Sequence, residues 1–168
     1  MIAIFDSADY PATRAEISAW LKKEADPDYE KLTDKRLAIF LNGLINVLRG
    51  KKEGPQPEPE TRLTNNQIFM KLKIALNLKA EDLLEVLLLA DFRLSKHELS
   101  AFFRKPGHKH YRECKEQVLR NFLHGLQIKH RSEEEGEVES EVEGEVEGEV
   151  EDEDETNSVW AKGKTRKR

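Results

Sequence analysis

The sequence predicts an all-α protein that contains one small multi-helix unit twice, packed as a pseudo-twofold bundle. A shift of 82 positions lays residues 2–45 on residues 84–127 without a gap, and twelve positions are identical. Unrelated sequences would share roughly three over that length. Apolar residues also recur at helical spacing at the same places in both copies. We call residues 1–49 the first repeat and residues 64–131 the second repeat.

Each repeat is predicted to contain a short capped helix. Thr13 and Glu16 have the spacing of a capping box, in which the hydroxyl accepts from the amide three residues on and the carboxylate reaches back to the N-cap amide. Ser95 and Glu98 repeat this pattern in the second copy. The pattern predicts a structural role for both glutamates rather than a catalytic one.

A longer amphipathic helix ends each repeat. Its apolar residues follow an i, i+3, i+4, i+7 pattern that starts at Leu37 in the first repeat and at Leu119 in the second. Gly43 and Gly125 lie inside this pattern, where glycine is about 1 kcal/mol less favourable than alanine. We hypothesise that both glycines permit a close helix contact, and that the two long helices pack on each other around the pseudo-twofold axis.

The repeats are joined by residues 50–63. Gly50–Thr61 has three prolines, two glycines and no large apolar residue, which is typical of an extended linker. A leading helix then begins at Thr64–Gln67. Met1 aligns with Leu83, so the first repeat has no counterpart of this helix, and we expect the true start to lie upstream of Met1.

The charge is distributed unevenly along the chain. Residues 62–131 carry 14 basic and 7 acidic residues, whereas residues 132–168 carry 5 and 15. In Glu133–Glu155, like charges four residues apart oppose helix formation and apolar residues are few. We therefore predict that residues 132–168 are a disordered acidic tail with a basic end. Such a tail either only solubilises the protein or lies across the basic repeat and competes with a polyanion.

The composition also indicates in which cellular compartment the protein lies. Cys114 is the only cysteine, which excludes an intramolecular disulfide and fits a reducing compartment. No apolar run approaches the length of a membrane span, and no basic leader precedes an apolar stretch at the N-terminus. We expect a cytoplasmic protein that has no contact with a membrane.

One cluster resembles a set of metal ligands. His108, His110 and Cys114 lie close together in the chain, but their spacing matches no common zinc pattern. A Cys114 nucleophile with His110 as its base has no orienting or oxyanion group that the sequence identifies. We assign no catalytic residue, no metal ligand and no cofactor. A metal-binding protein or enzyme centred on His110 and Cys114 stays as an alternative.

The basic residues of the second repeat are the other candidate set. If they converge in the fold, they form a surface that neutralises phosphates and binds them in a salt-dependent way. The candidate nucleic-acid contacts, which have Tyr111 among them, are Lys71, Lys73, Arg104, Lys105, Lys109, Arg112, Lys115 and Arg120.

Several motifs between Met1 and Arg131 resemble those of a known family. They are Asn65-Asn66 with residues 71–76 (KLKIAL), residues 16–23 (EISAWLKK), residues 40–44 (FLNGL), residues 108–114 (HKHYREC) and residues 122–126 (FLHGL). In this order and spacing the chain resembles the YehS-like family of bacterial proteins, domain of unknown function 1456, which occurs as two tandem copies. The resemblance implies an all-helical cytoplasmic protein and no established activity. The absent first leading helix and the Glu-Val-Glu tail depart from the family pattern.

These observations favour a non-enzymatic helical-repeat module that binds a macromolecular partner, with an unknown protein as that partner. The alternative is an RNA- or DNA-binding protein that uses the basic second repeat and is autoinhibited by the acidic tail.

Overall fold

The computed structural model describes the backbone of residues 1–148 and the side chains of residues 1–132. Over these residues the chain is all-helical, as predicted, with seven helices and no strand. The helices are α1 (Ile2–Ser7), α2 (Arg14–Leu21), α3 (Asp34–Arg49), α4 (Asn65–Ala75), α5 (Ala80–Leu89), α6 (Lys96–Phe102) and α7 (Glu116–Gly148). None of these helices combines the length and the apolarity that crossing a membrane requires. The helices α2 and α6 begin 82 positions apart, and so do α3 and α7, which is the spacing of the sequence repeat.

The predicted capping boxes are present at the starts of α2 and α6. The Glu16 amide donates to the Thr13 hydroxyl at 3.2 Å, and the Thr13 amide donates to the Glu16 carboxylate at 2.9 Å. Ser95 and Glu98 form the same two hydrogen bonds at 3.2 and 3.0 Å. The structural role predicted for these two glutamates is therefore confirmed.

Each repeat has its own hydrophobic core, and the two cores differ in size. The core of the first repeat contains five buried residues, and that of the second contains nine. The second core includes Phe69 of α4, whose ring centroid lies 4.7 Å from that of Phe122 and 5.1 Å from that of Phe103. The second core therefore depends on α4, the leading helix of its repeat.

The two helical glycines permit close contacts, but not the contact that the sequence led us to expect. A Cβ atom at Gly43 would lie 1.9 Å from the carbonyl oxygen of Ile4 in α1, and one at Gly125 would lie 1.9 Å from that of Val86 in α5. Each glycine therefore admits the backbone of a helix in its own repeat. The hypothesis that the glycines mark packing of the two long helices on each other is wrong, because a helical pattern defines a buried face without defining the helix that covers it.

The helix α4 joins the two repeats, because it contributes to the second core and also packs against α3. At this joint Lys71 Nζ donates to Asn42 Oδ1 at 2.6 Å and lies 3.0 Å from a carboxylate oxygen of Glu60. The Lys71 side chain is only 13% exposed, and Asn42 is buried. Residues 1–129 form one compact unit. Within it, the polar contacts of Lys71 with Asn42 and Glu60 help to hold the two repeats together.

The described residues from 130 onward belong to a separate unit. Its backbone is described as the continuation of α7 as far as Gly148, and residues 149–168 lie outside the described residues. The disorder predicted for the acidic tail and its competition with the basic repeat therefore stay predictions.

Candidate nucleic-acid interface

A concave site lies on the second repeat, between α6 and the loop that connects α6 to α7. The cavity has a volume of about 390 Å³. Its walls consist of His97, Glu98, Ala101, Arg104, Lys109, His110, Tyr111 and Arg112. Three of these side chains are those of arginine or lysine, two are imidazoles and one is a carboxylate. Such a lining attracts anions. We call this site the basic cleft.

Hydrogen bonds within the loop and to two helices determine the shape of the loop side of the basic cleft. The His110 amide donates to His108 Nδ1 at 3.1 Å, and the Tyr111 amide donates to the His108 carbonyl at 2.8 Å. The Arg112 amide donates to a carbonyl of α6 at 3.2 Å, and Asn66 of α4 donates to the Arg112 carbonyl at 2.8 Å. The loop is thus anchored to two helices, which fixes the backbone that carries His110, Tyr111 and Arg112.

Glu98 is the one acidic residue that lines the basic cleft. Hydrogen bonds from the Ser95 amide and hydroxyl, together with the nearby Arg112 guanidinium, hold the pKa of Glu98 below its usual range. Glu98 is therefore ionised at neutral pH and offsets one positive charge. Arg104, Lys109 and Arg112 outnumber it, so the basic cleft keeps a net positive charge.

The first repeat has matching backbone hydrogen bonds at the equivalent loop. The amides of Tyr29 and Tyr111 both donate to the carbonyl three residues back, at 3.0 and 2.8 Å. The amides of Glu30 and Arg112 both donate to a carbonyl of the preceding helix at 3.2 Å. The two loops therefore have matching hydrogen bonds despite their different side chains.

The net charges of these two loops differ in sign, because acidic residues of the first repeat are replaced in the second. Asp28 and Glu30 stand in the first repeat where His110 and Arg112 stand in the second. Lys22, which occupies the position of Arg104, lies 2.6 Å from Asp28 and is paired with a second carboxylate at 3.2 Å. Because the matching backbone hydrogen bonds form with either set of side chains, they do not require the basic ones.

The structure brings together three of the eight predicted nucleic-acid contacts. Arg104, Lys109 and Arg112 line the basic cleft. Lys105 and Lys115 are exposed on the same loop and do not line it.

The other three predicted contacts lie elsewhere in the second repeat. Lys71 is engaged by Glu60 and Asn42 at the joint between the repeats. Lys73 Nζ lies 4.8 Å from the centroid of the Phe103 ring. Arg120 forms an ion pair with Glu116 one turn earlier on α7. These three residues are therefore not part of the cluster that forms the basic cleft.

Sequence reasoning missed His97 as a wall of the site and treated His110 only as a metal ligand or a base. His97 and Ala101 lie one turn apart on α6, and Arg104 follows two residues after the end of that helix. The i, i+4 spacing of His97 and Ala101 was the indication in the sequence that they lie on one side of α6.

The structure separates Cys114 from the two histidines that precede it. Cys114 is fully buried in the second core, and burial raises the pKa of its thiol to about 11. His108 and His110 are exposed. A thiolate is therefore strongly disfavoured at neutral pH, which argues against a nucleophile or metal ligand at Cys114. Within the part of the chain whose side chains are described, no three potential metal ligands are grouped.

Comparisons with known proteins found a matching family and a similar protein from Escherichia coli. A family model described as a protein of unknown function (DUF1456) matches residues 1–50 and 65–132. The chain is 43% identical over 130 residues to the uncharacterized protein YehS of Escherichia coli (strain K12), across 77% of this chain and 83% of that protein. No solved structure matches the chain.

Proposed function

The chain belongs to the DUF1456 family of proteins of unknown function, and we propose that it is a non-enzymatic module that binds nucleic acid in the basic cleft. The observation that carries this proposal is the difference in charge between two loops whose backbone hydrogen bonds match. Since those hydrogen bonds form with Asp28 and Glu30 in the first repeat, they do not explain His110 and Arg112 in the second repeat. A ligand with negative charge does explain them.

The form of the basic cleft favours a single strand over a duplex. Its volume of about 390 Å³ falls within the range of sites that enclose small groups. Arginine offers a planar pair of donors to phosphate oxygens. Tyr111 adds an aromatic ring to the same wall, and aromatic rings in cationic grooves stack on unpaired bases. We therefore propose that phosphates contact Arg104, Lys109 and Arg112 while a base contacts Tyr111.

The proposal is tested by fluorescence anisotropy with labelled single-stranded RNA and DNA of about 12 nucleotides. The variant Lys109→Glu/Arg112→Glu reverses two charges of the basic cleft, and we expect it to bind at least about tenfold more weakly at low salt. The matched control Lys31→Glu/Lys35→Glu reverses two exposed charges of the first repeat and should bind nearly as well as the unmodified chain.

The salt dependence gives a second measure in the same assay. Three phosphate contacts on a single strand give a slope of about −2 in a plot of log K against log salt concentration, and the cleft variant should flatten it by about 1.4. Equal weakening by the cleft variant and the control would show that net charge alone is responsible. Absence of binding by the unmodified chain at low salt would end the proposal.

A further inference from the structure

His108 holds the loop of the basic cleft through one ring nitrogen. The His110 amide donates to His108 Nδ1 at 3.1 Å, and Nη1 of Arg104 lies 3.5 Å from the same atom. Because two donors are directed at Nδ1, this atom is the acceptor of a neutral ring whose proton is on Nε2. His108 therefore fixes the amide of a residue that lines the basic cleft, although its own side chain does not line the cleft.

Asp26 has the same position and the same contacts in the first repeat. It stands 82 positions before His108, and its Oδ1 accepts from the Asp28 amide at 2.9 Å. Lys22 stands 82 positions before Arg104, and its Nζ lies 3.2 Å from the same Oδ1. Each loop thus has a side-chain acceptor that is contacted by the amide two residues on and by a basic side chain just after the preceding helix.

The two acceptors differ in charge, and this determines how the basic side chain is paired. Hydrogen bonds from the Asp28 amide and from Lys22 hold the pKa of Asp26 below its usual range, so Asp26 is ionised at neutral pH. Asp28 also pairs with Lys22, at 2.6 Å, so two carboxylates surround one ammonium. Within the part of the chain whose side chains are described, Arg104 forms no ion pair, and imidazoles stand at the positions of those two carboxylates.

From this comparison we propose that His108 is a positioning residue for the anion that binds in the basic cleft. It supplies the acceptor that holds the loop, and it places no negative charge beside Arg104. The guanidinium of Arg104 therefore keeps its donors for phosphate oxygens. The inference rests on the proposed function, because it concerns the binding of phosphate in that same site.

Two substitutions at position 108 separate the acceptor from its charge in the anisotropy assay with single-stranded RNA. His108→Asn keeps a neutral acceptor for the amide two residues on, and binding should stay within about twofold of the unmodified chain. His108→Asp keeps the acceptor and adds a carboxylate beside Arg104, as in the first repeat. It should weaken binding at least about fivefold and flatten the salt slope by about 0.7, the share of one phosphate contact.

The matched control makes the same change of side chain elsewhere in the second repeat. His124 is exposed on α7 and does not line the basic cleft. His124→Asp alters the net charge by the same amount as His108→Asp, and it should leave RNA binding nearly unchanged.

A second measurement observes Arg104 without nucleic acid. In proton–nitrogen correlation spectra of the arginine Nε–Hε groups, added inorganic phosphate should shift the Arg104 signal in the unmodified chain and in His108→Asn. The same addition should not shift it in His108→Asp. The nitrogen chemical shifts of the His108 ring should show a neutral imidazole with its proton on Nε2 at neutral pH.

The outcomes separate this inference from the proposed function. RNA binding that His108→Asp leaves intact, or that both substitutions at position 108 weaken equally, overturns the inference and leaves the basic cleft as the binding site. A response of Arg104 to phosphate that His108→Asp abolishes, in a chain that binds no RNA, supports the inference and overturns the proposed function. Absence of any shift of Arg104 with phosphate and with RNA overturns the inference. Circular dichroism of each variant shows whether its fold is retained.

Discussion

Gly43 and Gly125 are the positions at which a single methyl group should disturb the fold most directly. A Cβ atom at either position would lie 1.9 Å from a backbone carbonyl oxygen, and a backbone can move away only by shifting a whole helix. We expect Gly125→Ala to lower the free energy of unfolding by about 2 kcal/mol, because overpacking outweighs the gain in helix propensity. Denaturant unfolding measures this. Lys35→Ala, an exposed change on α3, should have little effect, and equal stability of the two variants would contradict the contact.

Glu16 and Glu98 should make stability depend on pH. Hydrogen bonds from the Thr13 and Ser95 amides lower the pKa of each carboxyl in the folded state. Their stabilisation is therefore present above the ordinary glutamate pKa of 4.5 and is lost as the pH falls through the lowered values. The variant Glu98→Gln should lose less stability than the unmodified chain between pH 6 and pH 3, as measured by urea midpoints. Glu113→Gln is the exposed control, and the same pH slope in all three proteins would refute the assignment.

At the scale of the elements, Asn66 connects α4 to the loop that carries the basic cleft. Its side chain makes three hydrogen bonds of 2.8 to 2.9 Å to backbone groups of three other residues. Asn66→Ala leaves buried backbone groups unpaired and should lower the free energy of unfolding by about 3 kcal/mol. Asn65→Ala removes one bond and should lower it by about 1 kcal/mol. A smaller loss for Asn66→Ala than for Asn65→Ala would contradict this account.

The elements also show which features the sequence determines locally. The capping boxes could be predicted because all of their groups lie within four residues of each other. Asp9 and Asp91 follow α1 and α5 at equivalent positions, and both have left-handed φ values of 57° and 54°, which aspartate tolerates better than most residues. Family membership and the all-α class also followed from the order of local motifs.

The features that sequence reasoning missed depend on distant residues. The loop of the basic cleft is anchored by Asn66, which lies 46 positions from Arg112. The carbonyl that each long-helix glycine contacts belongs to a residue 39 positions away, Ile4 for Gly43 and Val86 for Gly125. The periodicity of one helix does not identify such partners. Only the fold could show that Arg112 lines the basic cleft while Lys71 lies at the contact between α3 and α4.

At the scale of the whole molecule, equivalent faces of the two long helices differ in polarity. The buried residues on α3, to which α4 is joined, include Ala38, Leu41 and Asn42, and their counterparts on α7 are Arg120, Leu123 and His124. The α7 positions are exposed and mostly polar. The sequence therefore distinguishes the long helix that α4 covers from its equivalent in the second repeat.

The contact between α3 and α4 should make the two repeats unfold together. Lys71→Met removes the ammonium that Glu60 and Asn42 share at this contact, and we expect it to lower the free energy of unfolding by about 2 kcal/mol while a single transition is retained. The double variant Lys71→Met/Glu60→Gln should recover part of that loss, since no uncompensated charge is then left behind. Lys96→Met is the matched control, because Lys96 pairs with Glu81 at 2.8 Å on an exposed surface. It should change the free energy of unfolding by less than about 0.5 kcal/mol. Equal stability of the Lys71 and Lys96 variants would show that the contacts of Lys71 do not hold the first repeat against the second.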